Sequence, residues 1–208
     1  LVVLACGDSC NDFLDLNWLP VRTNIGQTTQ LVSNNDLNQL KAVFCHDGYI
    51  PPARFGEHCI GSTYHLNEKS RMVCDEDHLE NIAKLESALH KKYDLKAVEN
   101  NFKGWTGKRC TSPDYLPIVG PIPERPKFNN VYSALSKNAK AHVSHRAPVY
   151  PGLYISTAHG SRGLTYSALS AEILASMIFA EPLPVSRRIA RAILPARFLI
   201  REIIKRQN

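Results

Sequence analysis

The sequence predicts a mixed α/β fold in which a region of antiparallel strands interrupts a second, partly parallel sheet. Three observations support this prediction. An apolar strand opens the chain, several strands with one long helix fill the middle, and a strand, a glycine turn and a helix follow towards the C terminus. The 208 residues suffice for one large domain or two small ones. We expect divisions at residues 1–14, 15–147, 148–185 and 186–208.

The first half of the chain is predicted to be rich in strands. Residues 1–7 are apolar and end at a glycine, which is typical of a buried strand. Residues 8–17 are polar and rich in turn formers. Further extended segments are predicted over residues 19–32, 42–45 and 57–64.

A long helix is predicted over residues 75–93. Asp75 can cap its first turn, and the acidic residues Glu76 and Asp77 favour the positive end of the helix dipole. Apolar side chains recur at near-helical spacing, which indicates one buried face: Leu79, Ile82, Leu85 and Leu89.

The second half alternates strands and helices. The pattern predicts a strand over 98–110, a proline-rich loop over 111–120, a helix over 131–145, a strand over 152–157 and a helix over 164–180. Small and apolar residues follow one face of the last helix, so we expect that face to pack closely on a sheet: Leu164, Ala168, Ala171, Ala175 and Ile178.

The net charge of +6 is concentrated in the C-terminal tail. The tail carries one acid, Glu202, and seven basic residues, which are Arg187, Arg188, Arg191, Arg197, Arg201, Lys205 and Arg206. Pro195 is predicted to divide the tail into two short helices. These cations could bind RNA phosphates or an anionic membrane surface. The alternative is a helix that docks by its apolar face and leaves its charges in solvent.

The six cysteines give no clear metal motif. None forms a CxxC pair, and the adjacent pairs Cys45-His46 and His58-Cys59 are a weak signal, so we predict no metal site. Free thiols fit a reducing compartment, and we expect a cytoplasmic protein. No apolar stretch approaches the roughly 18 residues of a membrane span.

The glycine turn before the last predicted helix is the strongest indication of a ligand site. Gly160 and Gly163 let the backbone approach a ligand closely, and Ser161 can cap the helix. The first N–H groups of a helix and its dipole favour an anionic or electron-rich ligand. A plain connection between strand and helix is the alternative.

Arg109 is the second candidate. It lies in an apolar, glycine-flanked strand, where a guanidinium needs a partner. Two interpretations stay open: a bidentate clamp on a substrate carboxylate, or a structural ion pair with an acid such as Asp114. No Ser/His/Asp triad, paired-carboxylate site or P-loop is present, so we predict no catalytic acid, base or nucleophile.

Several segments together resemble a known family. They lie at residues 2–7, 19–21, 26–27, 45–49, 59–64, 109–120, 159–164 and 171–175. In this order they resemble the D-amino-acid-oxidase/glycine-oxidase-like flavoproteins, and within them the oxidoreductase domain of bifunctional tRNA 5-methylaminomethyl-2-thiouridine biosynthesis proteins. The segments that contain Arg109 and Gly160 are the most diagnostic.

The resemblance implies a glycine-oxidase-like fold with an antiparallel-sheet substrate domain and the C-terminal strand-turn-helix elements of a Rossmann-like domain that binds FAD. It implies that Arg109 holds a substrate carboxylate and that Tyr49 is a substrate-side aromatic. The cofactor-binding residues that it implies are Gly7, His159, Gly160, Ser161, Arg162, Gly163, Leu164 and Thr165. The GxGxxG fingerprint of the family lies upstream of these segments and is absent from this sequence, so we expect an incomplete FAD site.

The resemblance also implies a reaction. Hydride leaves the C–N bond of a secondary amine in the modified wobble uridine of tRNA, and the imine hydrolyses to release glyoxylate. The implied partners are tRNA and a methyltransferase domain of the same parent chain, which uses S-adenosyl-L-methionine. Two alternatives stay open: an FAD-dependent oxidase of a small amino acid such as glycine or sarcosine, and a non-enzymatic fragment that binds RNA or a partner.

Overall fold

The structure, a computed structural model, describes residues 1–13, 16–66, 68, 71–91 and 102–205. Two compact units make up the chain. Unit 1 comprises Leu1–Arg22 and Arg109–Asn208, and unit 2 comprises Thr23–Lys108. The middle unit is therefore shorter than the expected span of 15–147, because the residues after 108 supply a strand and a helix to unit 1.

The strands are β1 (Val2–Leu4), β2 (Arg22–Val32), β3 (Phe44–Cys45), β4 (Tyr49–Ile50), β5 (Glu57–Gly61), β6 (His65–Leu66), β7 (Lys103–Thr111), β8 (Ile118–Pro123) and β9 (Val149–Thr157). The α-helices are α1 (Asp75–Leu89), α2 (Arg125–Val131), α3 (Gly163–Phe179), α4 (Arg187–Ile193) and α5 (Ala196–Lys205). Short 3-10 helices span Gly7–Asp12, Leu16–Trp18, Leu37–Gln39, Ser133–Ser136 and Gly160–Arg162.

Unit 1 contains a three-stranded sheet in the order β1-β9-β8. β1 runs parallel to β9, with Leu4 opposite Ile155, and β8 runs antiparallel to β9. The prediction of a buried first strand is wrong, because β1 is an edge strand of this sheet and Val2 is 54% exposed. The parallel pair directs the C-terminal ends of β1 and β9 to the same edge of the sheet.

Helix α3 packs on this sheet through a face that differs in part from the one predicted. Ile173 and Leu174 are buried and cluster with Val119 of β8 and Ile193 of α4. The predicted face is wrong over the first half of the helix, where Leu164 is 98% exposed and Ala168 and Ala171 are exposed, whereas Ala175 is half-buried and Ile178 packs on this cluster. Burying Ile173 and Leu174 removes more apolar surface from water than burying Ala168 and Ala171 would.

The C-terminal tail divides at Pro195 into α4 and α5, as predicted. The Ser186 hydroxyl accepts a hydrogen bond from the Ile189 amide and caps α4. In α5, Leu199 and Ile203 are buried against Phe128 and Leu135, two residues from the segment that follows β8. The tail therefore belongs to the core of unit 1.

The predicted helix over 131–145 is wrong. The helix here is α2, which begins at Arg125 with a proline in its first turn, a position that proline favours. A short 3-10 helix follows, and the Asn138 side chain then accepts a hydrogen bond from the Lys140 amide, which favours a turn over continued helix.

Unit 2 contains a six-stranded sheet. Its main path is β3-β4-β5-β2-β6, and β7 pairs with β2. β2 and β5 are antiparallel, and the core on this sheet contains Leu31 and Ile60 from the strands with Ile82 and Leu85 from α1. The predicted antiparallel middle region with one long helix is thus present.

Helix α1 differs from its prediction at both ends and on its buried face. It ends at Leu89, and positions 92 and 93 of the predicted span lie outside the described residues. Cys74 occupies the N-cap position, and Asp75 lies inside the first turn. The Gln27 side chain takes over the capping role, because its amide group hydrogen-bonds to both the N–H and the C=O of Cys74. Leu79 is 47% exposed, since Asp77, His78 and Asn81 occupy the buried face beside Ile82 and Leu85.

In the part of the chain that the structure describes, no helix is both long and apolar enough to cross a bilayer. The cysteines are all free thiols. Within the described residues, three or more metal-ligating side chains do not come together at any point.

Candidate cofactor-binding site

Two loops meet at the C-terminal edge of the parallel pair in unit 1. One follows β1 and contains Gly7, and the other follows β9 and contains His159 and Gly160. The Thr157 hydroxyl donates a 2.9 Å hydrogen bond to the carbonyl oxygen of Gly7 and so joins the loops. Open α/β sheets bind ligands beyond this edge, where loops leave neighbouring strands.

The end of β7 forms a third side of this site. Cys110 Sγ lies 3.7 Å from Thr157 Oγ1, and Thr111 pairs with His159 in an isolated antiparallel bridge. A β-carbon on Gly160 would lie 3.1 Å from Cγ2 of Thr111. The strand that carries Arg109 therefore runs directly into the contacts that hold the two loops.

Both the backbone conformation at position 160 and the contact with Thr111 favour glycine there. The φ angle of Gly160 is +60°, in the left-handed region that side chains disfavour. The preceding Ala158 also has a positive φ of 59°, a conformation that costs a non-glycine residue on the order of 1 kcal/mol. Such strain is concentrated at ligand sites, where the surrounding structure holds it in place.

His159 presents an unsatisfied polar atom in this site. Its Nε2 is buried, and no described group hydrogen-bonds to it. Burial lowers the pKa of His159, so the imidazole is neutral at neutral pH. A buried polar atom without a partner costs about 1–3 kcal/mol, which indicates a position for a ligand group.

The start of α3 is uncapped by side chains. Arg162 occupies the N-cap position without a side-chain hydrogen bond, and Ser161 lies in the preceding 3-10 turn. The predicted capping role of Ser161 is therefore wrong. Because no described side chain caps α3, the amides of residues 164 and 165 in its first turn are available to a ligand.

A sequence profile of FAD-dependent oxidoreductases (DAO) matches residues 1–177 of the chain. The chain belongs to the DAO family. The tRNA 5-methylaminomethyl-2-thiouridine biosynthesis bifunctional protein MnmC of Chromobacterium violaceum is 39% identical over 210 residues, which cover 100% of this chain and 32% of that protein. The chain therefore spans about a third of this DAO relative.

Solved DAO-type structures share the fold. Glycine oxidase from Bacillus cereus superimposes with a TM-score of 0.58 at 21% identity, covering 88% of this chain and 44% of that one. Iminodiacetate oxidase from Chelativorans sp. BNC1 gives a TM-score of 0.61 at 20% identity, covering 90% and 44%. The predicted glycine-oxidase-like α/β fold is confirmed.

The residues at the strand edge fit the FAD of a DAO protein. The unsatisfied Nε2 of His159 and the uncapped start of α3 offer polar contacts to an electron-rich ring. Gly160 lets the backbone approach closely. The sequence analysis missed Thr157 and Thr111, whose roles depend on contacts between distant segments that no local pattern reveals.

Arg109 is half-buried at the end of β7, where the DAO resemblance places a carboxylate-binding arginine. Asp114, the alternative partner, is engaged by the tail. Arg197 donates to both of its carboxylate oxygens at 2.9 and 3.0 Å, and Arg201 adds a third bond at 2.6 Å. Burial raises the pKa of Asp114, but hydrogen bonds from Arg197, Arg201 and Ser112 outweigh it and hold this pKa well below its ordinary value.

The basic tail of this DAO chain is divided by the fold. Arg197 is 7% exposed and also donates to the carbonyl oxygens of Ile193, Leu194 and Leu116. It therefore does not belong to the exposed basic surface that we predicted. The exposed members are Arg187, Arg188, Arg191, Arg201 and Lys205, while Arg206 lies outside the described residues.

Tyr49 belongs to unit 2. It pairs with Cys45 of β3 and with Gly61 of β5 in the antiparallel sheet, and its side chain is 36% exposed. Its role beside the substrate stays a prediction.

Proposed function

We propose that this chain is part of an FAD-dependent oxidoreductase that removes the carboxymethyl group from 5-carboxymethylaminomethyl(-2-thio)uridine at the wobble position of tRNA. The 39% identity to the Chromobacterium violaceum protein over the whole chain carries the proposal, because that relative is named for the biosynthesis of 5-methylaminomethyl-2-thiouridine in tRNA. We further propose a cytoplasmic location and a methyltransferase domain in the longer parent protein.

The chemistry requires few groups from the protein. When bound, FAD supplies the hydride acceptor. Loss of a hydride and a proton from the HN–CH₂ unit of the substrate leaves an imine, and water splits the imine into glyoxylate and the aminomethyl uridine. If the amine binds in its neutral form, no side chain needs to act as acid or base.

The residues of this chain then orient the substrate and stabilise the negative charge that develops on the cofactor ring. Arg109 binds the departing carboxylate through two parallel hydrogen bonds and orients the C–N bond. The amides at the start of α3 and the neutral His159 offer hydrogen bonds to the electron-rich ring of the cofactor, which become stronger as negative charge develops there. The Thr157–Gly7 hydrogen bond holds the two loops in register.

The test uses the longer parent protein with tRNA that carries the carboxymethylaminomethyl group. We expect release of glyoxylate and conversion of the nucleoside, both detected by mass spectrometry. Arg109→Leu should lower kcat/KM by about a hundredfold, because it removes a bidentate charged contact. The control is Lys108→Gln, which removes the neighbouring exposed cation. Equal loss in both variants, or no glyoxylate from the unaltered protein, would refute the proposal.

An amino-acid oxidase is the second candidate, since the fold matches glycine oxidase. If the substrate were a small amino acid, the exposed arginines of α4 would have no role, whereas tRNA offers phosphates for them to bind. This difference favours tRNA as the substrate. Turnover of glycine or sarcosine that exceeds turnover of modified tRNA would favour the second candidate.

A further inference from the structure

A cavity of about 310 Å³ lies in unit 1 and shares no residue with the cofactor-binding site. It is lined mainly by Asn17, Trp18, Pro123, Arg125, Pro126 and Tyr150. These residues come from the 3-10 helix before β2, the end of β8, the start of α2 and the beginning of β9. Its volume is at the lower end of the range of small-molecule sites and suits a single nucleotide.

The lining combines flat aromatic surfaces with one cation. Trp18 and Tyr150 are half-buried, so each rests on the core and leaves part of its ring at the cavity. Aromatic side chains of this kind stack on nucleobases with little dependence on the base. Proline rings at positions 123 and 126 add rigid apolar walls, and the amide of Asn17 adds a hydrogen-bonding edge.

Arg125 lies at the cavity in a weak ion pair that an anionic ligand can replace. Its guanidinium donates to Glu202 of α5 at 3.1 and 3.3 Å. The Arg125 and Glu202 side chains are 37% and 36% exposed, so this ion pair is in a well-solvated position and contributes little stability. A phosphate can replace Glu202 as the partner of Arg125 at small cost.

The surrounding sequence strengthens the case for an anionic ligand. Residues 125–171 contain no aspartate or glutamate and six basic residues. Four of these cations are exposed between the two segments that line the cavity: Lys127, which pairs with Glu124, and Lys137, Lys140 and Arg146. Such a stretch attracts a phosphate backbone rather than an isolated neutral molecule.

We propose that this cavity binds one nucleotide of a bound RNA, with its base stacked on Trp18 and Tyr150 and its phosphate on Arg125. The choice of RNA over a free nucleotide rests on the proposed function. The cavity acts as a second anchor point for the RNA, apart from the reacting nucleoside.

The chain offers a direct probe for this site. It has two tryptophans, and Trp105 is 70% exposed in unit 2. In a Trp105→Phe variant, the fluorescence therefore reports on Trp18 alone. We expect saturable quenching by uridine 5′-monophosphate and about tenfold tighter binding of tetrauridylate, because further phosphates meet the basic stretch. Uridine alone and inorganic phosphate alone should bind more weakly than the monophosphate.

Charge variants in the same background test the role of Arg125. Arg125→Gln should weaken binding of the monophosphate by about tenfold. Glu202→Gln should strengthen it, because it frees the guanidinium. Lys127→Gln is the matched control: Lys127 is 69% exposed, pairs with Glu124 and is not part of the lining, so its effect should stay within about twofold.

Three results would overturn the proposal. The first is the absence of fluorescence quenching at millimolar nucleotide, and the second is an equal effect of Arg125→Gln and Lys127→Gln on binding. The third is tighter binding of ADP than of tetrauridylate, which would assign the cavity to a dinucleotide cofactor. If the Arg125→Gln variant does not fold, the Glu202→Gln variant still tests the proposal, because it should bind the monophosphate more tightly. These measurements need neither FAD nor turnover, so they remain decisive if the proposed oxidation of tRNA fails.

Discussion

At the residue scale, the geometry of the cofactor-binding site depends on a glycine at position 160. Its positive φ and its closeness to Thr111 both disfavour a β-carbon. The bridge between Thr111 and His159 brings the end of β7 against this turn. A change at Gly160 therefore acts on both loops and on the strand that carries Arg109.

Gly160→Ala should lower the free energy of unfolding by about 1–2 kcal/mol, because it places a side chain in the left-handed region and against Thr111. Urea unfolding followed by circular dichroism measures the change. Gly107→Ala is the matched control, since its β-carbon would meet no atom within 4 Å and its φ is not positive. A loss as large in the control would contradict the explanation.

The buried His78 makes the stability of unit 2 sensitive to acid. Its Nδ1 lies 2.8 Å from the Thr29 hydroxyl, its ring stacks on Phe102, and burial lowers its pKa. The folded chain thus keeps the imidazole neutral, whereas the unfolded chain takes up a proton near pH 6.5. Stability is complete above about pH 6.5 and decreases as the pH falls below that value.

We expect the unaltered chain to unfold at a lower urea concentration at pH 5.5 than at pH 7.5. His78→Gln should reduce this difference without removing it, because burial also lowers the pKa of His46 and His159. The exposed His142 serves as the control, and His142→Gln should leave the difference unchanged. An unaltered pH dependence in His78→Gln would show that His78 does not cause it.

At the scale of elements, the ion pair between Arg197 and Asp114 adds to the apolar contacts that hold α5 in place. Arg197 of α5 binds Asp114 in the loop before β8 and three backbone carbonyls nearby. A buried charge without its partner is much less favourable than the intact pair. The tail is therefore a structural part of unit 1, and its deletion is a poor test of RNA binding.

Arg197→Leu should lower the free energy of unfolding by about 2–3 kcal/mol, because Asp114 loses both hydrogen bonds from the buried guanidinium and keeps only those from Arg201, Ser112 and the Leu116 amide. Chemical denaturation at pH 7 measures the loss. Arg188→Leu, on the exposed side of α4, should change stability by less than about 0.5 kcal/mol. Similar losses in both variants would refute the assigned role of Arg197.

Helix α4 carries three of the exposed basic residues of the tail. We expect Arg187→Gln, Arg188→Gln and Arg191→Gln together to lower the slope of log K against log salt for tRNA binding by up to about 2–3. The Arg197 ion pair stays intact in this triple variant, so the fold is preserved. An unchanged slope would show that α4 makes no phosphate contacts.

At the scale of the whole molecule, unit 1 exposes apolar side chains on two of its elements. The edge strand β1 exposes Leu1 and Val2, and α3 exposes Leu164 and Phe179. The chain spans about a third of its relative, and no GxGxxG occurs in its sequence. We propose that the residues present contact the ring end of FAD and that other parts of the parent protein bind the pyrophosphate.

The isolated chain should therefore bind FAD weakly. We expect dissociation during gel filtration and no flavin absorbance that co-elutes with the protein. The longer parent protein is the control and should retain FAD. Flavin that co-elutes with the isolated chain at one equivalent would contradict this prediction.

Periodicity and local residue chemistry were enough to predict several elements. The apolar run and the glycine turn around β9 and α3, the division at Pro195 and the long helix α1 all depend on neighbours in sequence. The family resemblance predicted FAD and the fold, because its segments keep their order along the chain.

The tertiary structure decided which faces are buried and which charges are free. The buried face of α3, the exposure of β1, the polar buried face of α1 and the end of α2 all depend on packing between distant segments. Arg197 gives the clearest example: by sequence it resembles its neighbours in the tail, yet Asp114, 83 residues away, removes it from the exposed surface. Local sequence determines what a residue can do, and only the packed fold determines which partner it meets.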